Sequence, residues 1–319
     1  MYCADQTVVS FPELGLGPWT LERFLVKDLF GSLSVAWYGV IICVGMILAC
    51  SIALYNAKKR EGFDTDSFLD YFLFCIPLGV VGARAMYVLA NLDSYESFSE
   101  AIAVWEGGLA VYGGVLAGAA TVFAVAKIKK HSFLKVADCI IPGLFLAQSL
   151  GRWGNFVNGE AHGGETILPW GMSINGAVAV HPTFLYESLI TLTGFLISML
   201  LIYPRKKWDG QILGFYMLWY GLGRTLVESL RTDSLYIGPL RLAQCIGIAS
   251  AVLGAFLIAY VQRKKKAVVG EGFSGDSLEN AEKEESTLFT EEKSDAVSEE
   301  TDIETDAKQE KGDSNGTDY

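Results

Sequence analysis

Apolar runs of roughly 20 residues recur along this chain, and each is long enough to cross a ~30 Å hydrocarbon core as a helix. They fall near residues 34–55, 69–91, 108–127, 136–153, 183–203, 211–230 and 240–262. The runs are continuous rather than alternating, which favours helices over barrel strands. A helix satisfies its own backbone polar groups in lipid. The expectation is therefore an all-α polytopic membrane protein with about seven transmembrane helices.

Lysine and arginine orient it. The links after the first, third, fifth and seventh runs hold Lys58–Arg60, Lys127–Lys135, Arg205–Lys207 and Arg263–Lys266, 14 basic residues in all. The opposite links hold only Arg23, Lys27 and Arg231. Cytoplasmic loops carry the basic excess, so the N-terminus is expected outside and the C-terminus in the cytoplasm. The net charge of −11 is localised, because residues 267–319 hold 17 Asp+Glu against 4 Lys+Arg. That composition predicts a disordered acidic cytoplasmic tail, preceded by an extracytoplasmic segment over 1–33 and a membrane domain over 34–266. The opening MYCADQTVVSFPELG lacks the basic start and apolar run of a cleavable signal. The six cysteines make no metal or redox spacing, and five lie in apolar runs, where small buried thiols are expected.

Polar residues inside apolar runs are expensive and face a partner, a cavity or the bundle interior. Arg84, Arg152 and Arg224 stand out. At ~1.5 Å per residue, Arg84 lies roughly 10 Å below the outer end of its run, Arg224 slightly less deep, and Arg152 at the end itself. Tyr38, Tyr112, His181, Tyr186 and Glu187 fall in the same outer third. Asp70 and Asp138 lie near the cytoplasmic edge and read as start-of-helix carboxylates. Tyr220, Arg224, Glu228 and Arg231 follow helical spacing and share one face. The glycine row Gly107, Gly108, Gly113, Gly114, Gly118 permits close helix approach and leaves room for a bulky ligand.

Each arginine has a plainer alternative. Arg152 at a helix end can snorkel to headgroups, and Arg224 can form a buried ion pair with Glu228 that holds two helices together. Three arginines at one depth, with few intramembrane acids to neutralise them, nevertheless suggest an anion, and the abundant anion at an outer leaflet is a lipid phosphate. No HExxH, outer-leaflet aspartate pair or Asp-rich two-metal cluster is present, and the one GFSG lies in the acidic tail. A transporter would show repeated halves and polar access from both sides, and a seven-helix receptor would not need the arginines. The remaining groups suit gripping a phosphate and stabilising it as it leaves.

The segment GRWGNFVNGEAHG, Gly151 to Gly163, resembles the G-R-x-G-N-F-x-N-x-E-x-x-G signature of bacterial prolipoprotein diacylglyceryl transferases. WYG, GARAMYVL, WEGGLAVYGG, HPTFLYE and YGLGRTLVESLRTD are similar to that family's segments in order, from about Ala36 to Arg263. The resemblance implies a seven-helix catalytic domain over 34–266, in the bacterial plasma membrane, with its site toward the outer leaflet. It implies transfer of the diacylglyceryl group of phosphatidylglycerol to the lipobox cysteine thiol of a prolipoprotein signal peptide, releasing glycerol phosphate. No metal, cofactor or nucleic acid is implied.

By motif position, the resemblance implies that Arg152 and Arg224 clamp the phosphate. It has Asn155 and Glu160 orient and hydrogen-bond, and Gly163 allow close backbone approach. Tyr38, Tyr220 and Glu228 also fall at family functional positions, and Arg84 is assigned to lipid binding or site architecture. Some relatives carry histidine, a proposed base, where this chain has Tyr112. A tyrosine with a pKa near ~10 is a poor base at neutral pH. Either Tyr112 positions substrate or another group, His181 or Glu160, takes the thiol proton.

Overall fold

The computed structural model describes residues 5–271, apart from 30–32, 96, 105–106, 233 and 235. Four strands open it: β1 Gln6–Phe11, β2 Leu16–Glu22, β3 Phe24–Leu29 and β4 Leu33–Ala36. Helices α1 Trp37–Arg60, α2 Thr65–Ala90, the short α3 Phe98–Ile102, α4 Val111–Ile128 and α5 Phe133–Asn158 follow. After them come β5 Ser173–Ile174, α6 Thr183–Ile197, α7 Gln211–Glu228, the strand pair β6 Tyr236–Ile237 and β7 Leu240–Arg241, and α8 Leu242–Glu271. The described residues up to Ala259 belong to one compact unit, and those from Tyr260 onward to a second. Helix α8 runs into the segment expected to be a disordered tail; residues 272–319 of that segment lie outside the described residues.

Six helices are long and apolar enough to cross a membrane: α1, α2, α4, α5, α6 with its continuation to Arg205, and α8 as far as Arg263. Their outward faces fit that role, since Leu73 and Leu116 are each 66% exposed, a poor arrangement in water. The expected run at 211–230 does form a helix, α7, but it is not among the six. Gln211, Arg224 and Glu228 interrupt its apolar character.

The expectation of an all-α chain needs correcting. The molecule is mostly helical, but its first segment is strand. In β1, Val9 is buried while its neighbours are partly exposed, the alternation of a half-buried strand. Its β-branched Thr7, Val8 and Val9 suit a pleated surface. Strand β1 pairs antiparallel with β2 and, through Val9↔Ile174 and Ser10↔Ser173, with β5. The loop after α5 is thereby attached to the N-terminal hairpin, and Val8 N donates to Asn175 Oδ1 at 2.8 Å.

Within the bundle α1 packs along α5, α2 along α4, and α5 along α6. The glycine row of α4 faces α2, where a Cβ on Gly113 would collide with the Gly82 carbonyl. It serves helix approach there, the first of the two uses its spacing allowed. Near the opposite ends of these helices, Ala53, Phe68, Tyr71, Val125, Val136 and Cys139 form a buried cluster. Cys139 is buried as expected, whereas Cys43 and Cys245 are exposed on the apolar flanks of α1 and α8.

The two inner carboxylates also resolve. Asp70 pairs with Lys129 at 2.7 Å. Asp138 lies inside α5, fully buried, and caps a different helix: Gly210 N donates to its Oδ2 at 2.8 Å, and Ile212 N and Leu213 N to its Oδ1 at 3.0 Å. It thus satisfies the orphan donors at the α7 N-terminus. Lys206 joins it at 3.1 Å and contacts Glu61 at 2.6 Å and Asp209 at 3.1 Å. Burial alone would lower the Lys206 pKa, but the Glu61 and Asp138 carboxylates raise it above the ordinary lysine value.

Candidate active site

At the other end of α5, α6 and α7 the polar residues meet. Arg152 sits six residues before the α5 C-terminus, Glu187 in the second turn of α6, Arg224 and Glu228 one turn apart on α7, and Arg231 just past it. Arg224 Nη1 donates to Glu187 Oε1 at 2.7 Å, and its Nη2 stands 2.7 Å from Glu228 Oε2. Arg231 Nη1 lies 3.4 Å from Glu187 Oε1, and Arg152 Nη2 contacts Glu187 Oε2. One carboxylate is therefore shared by three guanidinium groups.

This overturns the expectation that few acids neutralise the arginines. Of the residues that join the arginines here, Glu187 is marked in the sequence by its depth alone and Arg231 by its helical spacing alone. Glu187 is the sole acid between His181 and Arg205, and an ionisable residue in an apolar run was the signal that could have marked it. The ion pair of Arg224 with Glu228, raised as the plainer alternative, is present. So is the Arg224–Glu228–Arg231 face expected from spacing.

Access differs across the cluster. The Glu187 and Glu228 side chains are 5% and 2% exposed, against 24% for Arg152 and 16% for Arg224. The cations therefore front the carboxylates. Among the described residues Glu228 Oε2 is buried without a hydrogen-bond partner; Arg224 is near enough for attraction but not aligned to donate. Arg241 Nη1 donates to the Glu228 carbonyl and Arg241 Nε to Tyr236 Oη at 3.1 Å, covering the exposed carbonyl end of α7.

The other expected residues divide. Tyr112, second residue of α4, is near enough for Arg224, Glu228, Arg231 and Tyr220 to act on it electrostatically. Tyr220 stacks on Tyr216 with ring centres 5.4 Å apart. Tyr38 lays its ring on the Gly154 backbone, where a Cβ would collide with it. Asn155 and Glu160 bond to each other rather than to the arginines: Glu160 Oε1 accepts from Asn155 Nδ2 at 3.3 Å and Asn158 Nδ2 at 3.1 Å. These bonds brace the turn that follows α5, which Gly159 closes in the left-handed region.

Gly163 N donates to the His181 carbonyl at 2.9 Å, and a Cβ at Gly163 would stand 2.9 Å from the Leu230 carbonyl. Its close approach is made within the protein, between the loop after α5 and the end of α7. His181 Nδ1 lies 3.3 Å from Tyr186 Oη, which accepts from Trp170 Nε1 at 2.7 Å. Arg84, buried in α2, donates to the carbonyls of Glu100, Ala101, Gly107 and Gly108 at 2.5–3.2 Å. Its donors hold the segment before α4, which fits the architectural half of its assignment. Beside the α5–α6 contact an apolar hollow of about 410 Å³ is lined by Phe11, Trp19, Trp153, Phe156 and Phe184.

The arrangement can hold an anion. Guanidinium groups fork onto two oxygens at once, and in a dry site oriented cations stabilise charge where it develops. Among the described residues no group of three or more His, Cys, Asp or Glu could hold a metal ion.

Comparison with known proteins gives a consistent picture. A family model described as prolipoprotein diacylglyceryl transferase matches residues 25–260. Three proteins carrying the name phosphatidylglycerol–prolipoprotein diacylglyceryl transferase are similar to the chain. That of Clostridioides difficile is 44% identical over 76% of this chain and 97% of its own length. That of Finegoldia magna is 45% identical over 76% and 96%, and that of Listeria innocua 40% over 77% and 92%.

Proposed function

The chain belongs to the prolipoprotein diacylglyceryl transferase family, and from that premise we propose how its residues carry out the reaction. It is a multi-pass membrane enzyme that transfers the diacylglyceryl group of phosphatidylglycerol to a prolipoprotein, the first step of lipoprotein maturation. The acceptor is the lipobox cysteine thiol. Its sulfur attacks the glycerol C3 of the lipid, the C3–O bond to phosphate breaks, and glycerol phosphate leaves with the electron pair. A thioether forms.

The observation that carries this reading is the convergence of Arg152, Arg224 and Arg231 on a single buried carboxylate, with the arginines more accessible than the acids. Arg152 and Arg224 grip the phosphodiester and stabilise the second negative charge that the leaving phosphate acquires. Glu228 holds Arg224 in place, and Tyr38 and Tyr220 border the lipid. Asn155, Glu160 and Gly163 keep the loop after α5 in position. Tyr112 positions substrate, and the thiol proton passes to His181 or Glu160. Helix α7 is the seventh span, the N-terminus is outside, and the site opens to the outer leaflet of the bacterial plasma membrane, as the basic loops require.

The direct test supplies purified protein with phosphatidylglycerol and a lipobox peptide, and looks by mass spectrometry for a diacylglyceryl thioether. A Cys→Ser peptide should give none. Absence of product from folded, lipid-bound protein would reject the reading. A second result concerns Arg84. Arg84→Ala should lower thermal stability by about 3 kcal/mol, since four partly buried carbonyls lose a charged donor, while the KM for phosphatidylglycerol of the folded fraction stays unchanged. A raised KM would restore Arg84 to the lipid site.

A further inference from the structure

We propose that Glu187 is a resident anion, occupying the guanidinium seats of Arg152 and Arg224 until the lipid phosphate takes them over. This rests on the phosphate-clamp reading above and deepens it. In the described structure Glu187 offers both oxygens to the cluster: Oε1 to Arg224 and Arg231, Oε2 to Arg152. A carboxylate and a phosphodiester present a guanidinium with the same chemistry, two anionic oxygens a fork apart. The phosphate therefore competes with Glu187 for the same donors.

Two further features fit an exchange rather than a fixed ion pair. Arg231 is the least exposed of the three arginines, at 10%. It gives Glu187 a partner to keep when Arg152 and Arg224 turn to the lipid. Glu228, behind Arg224, remains to orient that guanidinium while Glu187 yields it. After transfer the leaving glycerol phosphate carries close to two negative charges. The returning Glu187 carboxylate then helps to expel it. Glu187 is thus a positioning residue that acts through the arginines.

The sign of one variant's effect separates this from a purely structural carboxylate. Glu187→Gln keeps the shape and removes the competing charge. The KM for phosphatidylglycerol should fall by about three- to tenfold, inhibition by added glycerol phosphate should strengthen by a similar factor, and kcat should drop because product lingers. An unchanged or raised KM in inserted, folded protein would overturn the exchange. The unmodified chain offers a second readout independent of variant folding. With 13C-glutamate labelling, adding phosphatidylglycerol in phosphatidylcholine nanodiscs should shift a glutamate carboxylate stretch in the infrared difference spectrum, and no shift overturns the proposal equally. If Arg152→Ala and Arg224→Ala leave the KM and kcat for lipid untouched, the clamp itself is wrong. If they cripple transfer while Glu187→Gln fails to tighten binding, only the exchange falls.

Discussion

Arg224→Ala should cut kcat/KM for diacylglyceryl transfer by at least about a hundredfold, the usual cost of deleting a group that stabilises developing charge in a dry site. The protein should still reach the membrane, because α7 keeps its length and its cap. The effect is large because the substitution removes one of the two arginines assigned to the phosphate. Arg224→Lys should fall between wild type and alanine. A lysine keeps the charge, but as a point it cannot bridge Glu187 and Glu228 as the planar fork does at 2.7 Å on each side. The check is the peptide assay normalised to inserted protein. Near-full activity of the alanine variant would remove Arg224 from the chemistry.

The second large effect concerns stability. Asp138→Ala strips the α7 N-terminus of the carboxylate that accepts from Gly210, Ile212 and Leu213, and deprives Lys206 of one of its three acids. Breaking a buried, fully bonded charge of this kind costs about 3–5 kcal/mol. A clear fall in melting temperature in detergent should follow, with loss of activity tracking loss of folded protein. Asp138→Asn should cost less, because its carbonyl can still accept from two of the three amides. An alanine variant that melts with the wild type would show that the cap contributes little.

Both predictions turn on contacts that the sequence only half discloses. The apolar runs, the ends of the helices and the Arg224–Glu228 pair are local, set by composition and helical spacing, and could be read along the chain. The Arg224–Glu187 bond spans 37 residues and the Asp138 cap 72 or more. Nothing in either segment announces its partner. Asp138 looked like the cap of its own helix because both helices begin at the same edge of the bundle. What satisfies Arg84 is not legible along the chain, because backbone carbonyls leave no mark in a sequence. The N-terminal strands are hard to read for a similar reason: a short half-buried strand carries a far weaker signal than a 20-residue apolar run. The order of family segments names the candidate residues, yet it does not say that Asn155 and Glu160 bond to each other.

The pairing of β1 with β5 has a consequence for biosynthesis. Val8 and Asn175, which bond across the two segments, are 167 residues apart. At roughly 5–20 residues per second of translation, β1 waits on the order of ten to thirty seconds for its partner to emerge. During that wait most of the helices must be laid into the bilayer. The loop after α5 is thus completed by a strand made before the helices. A truncation that removes β1 leaves β5 unpaired and loosens the loop after α5, which bonds through Gly164 N to the Leu230 carbonyl beside Arg231.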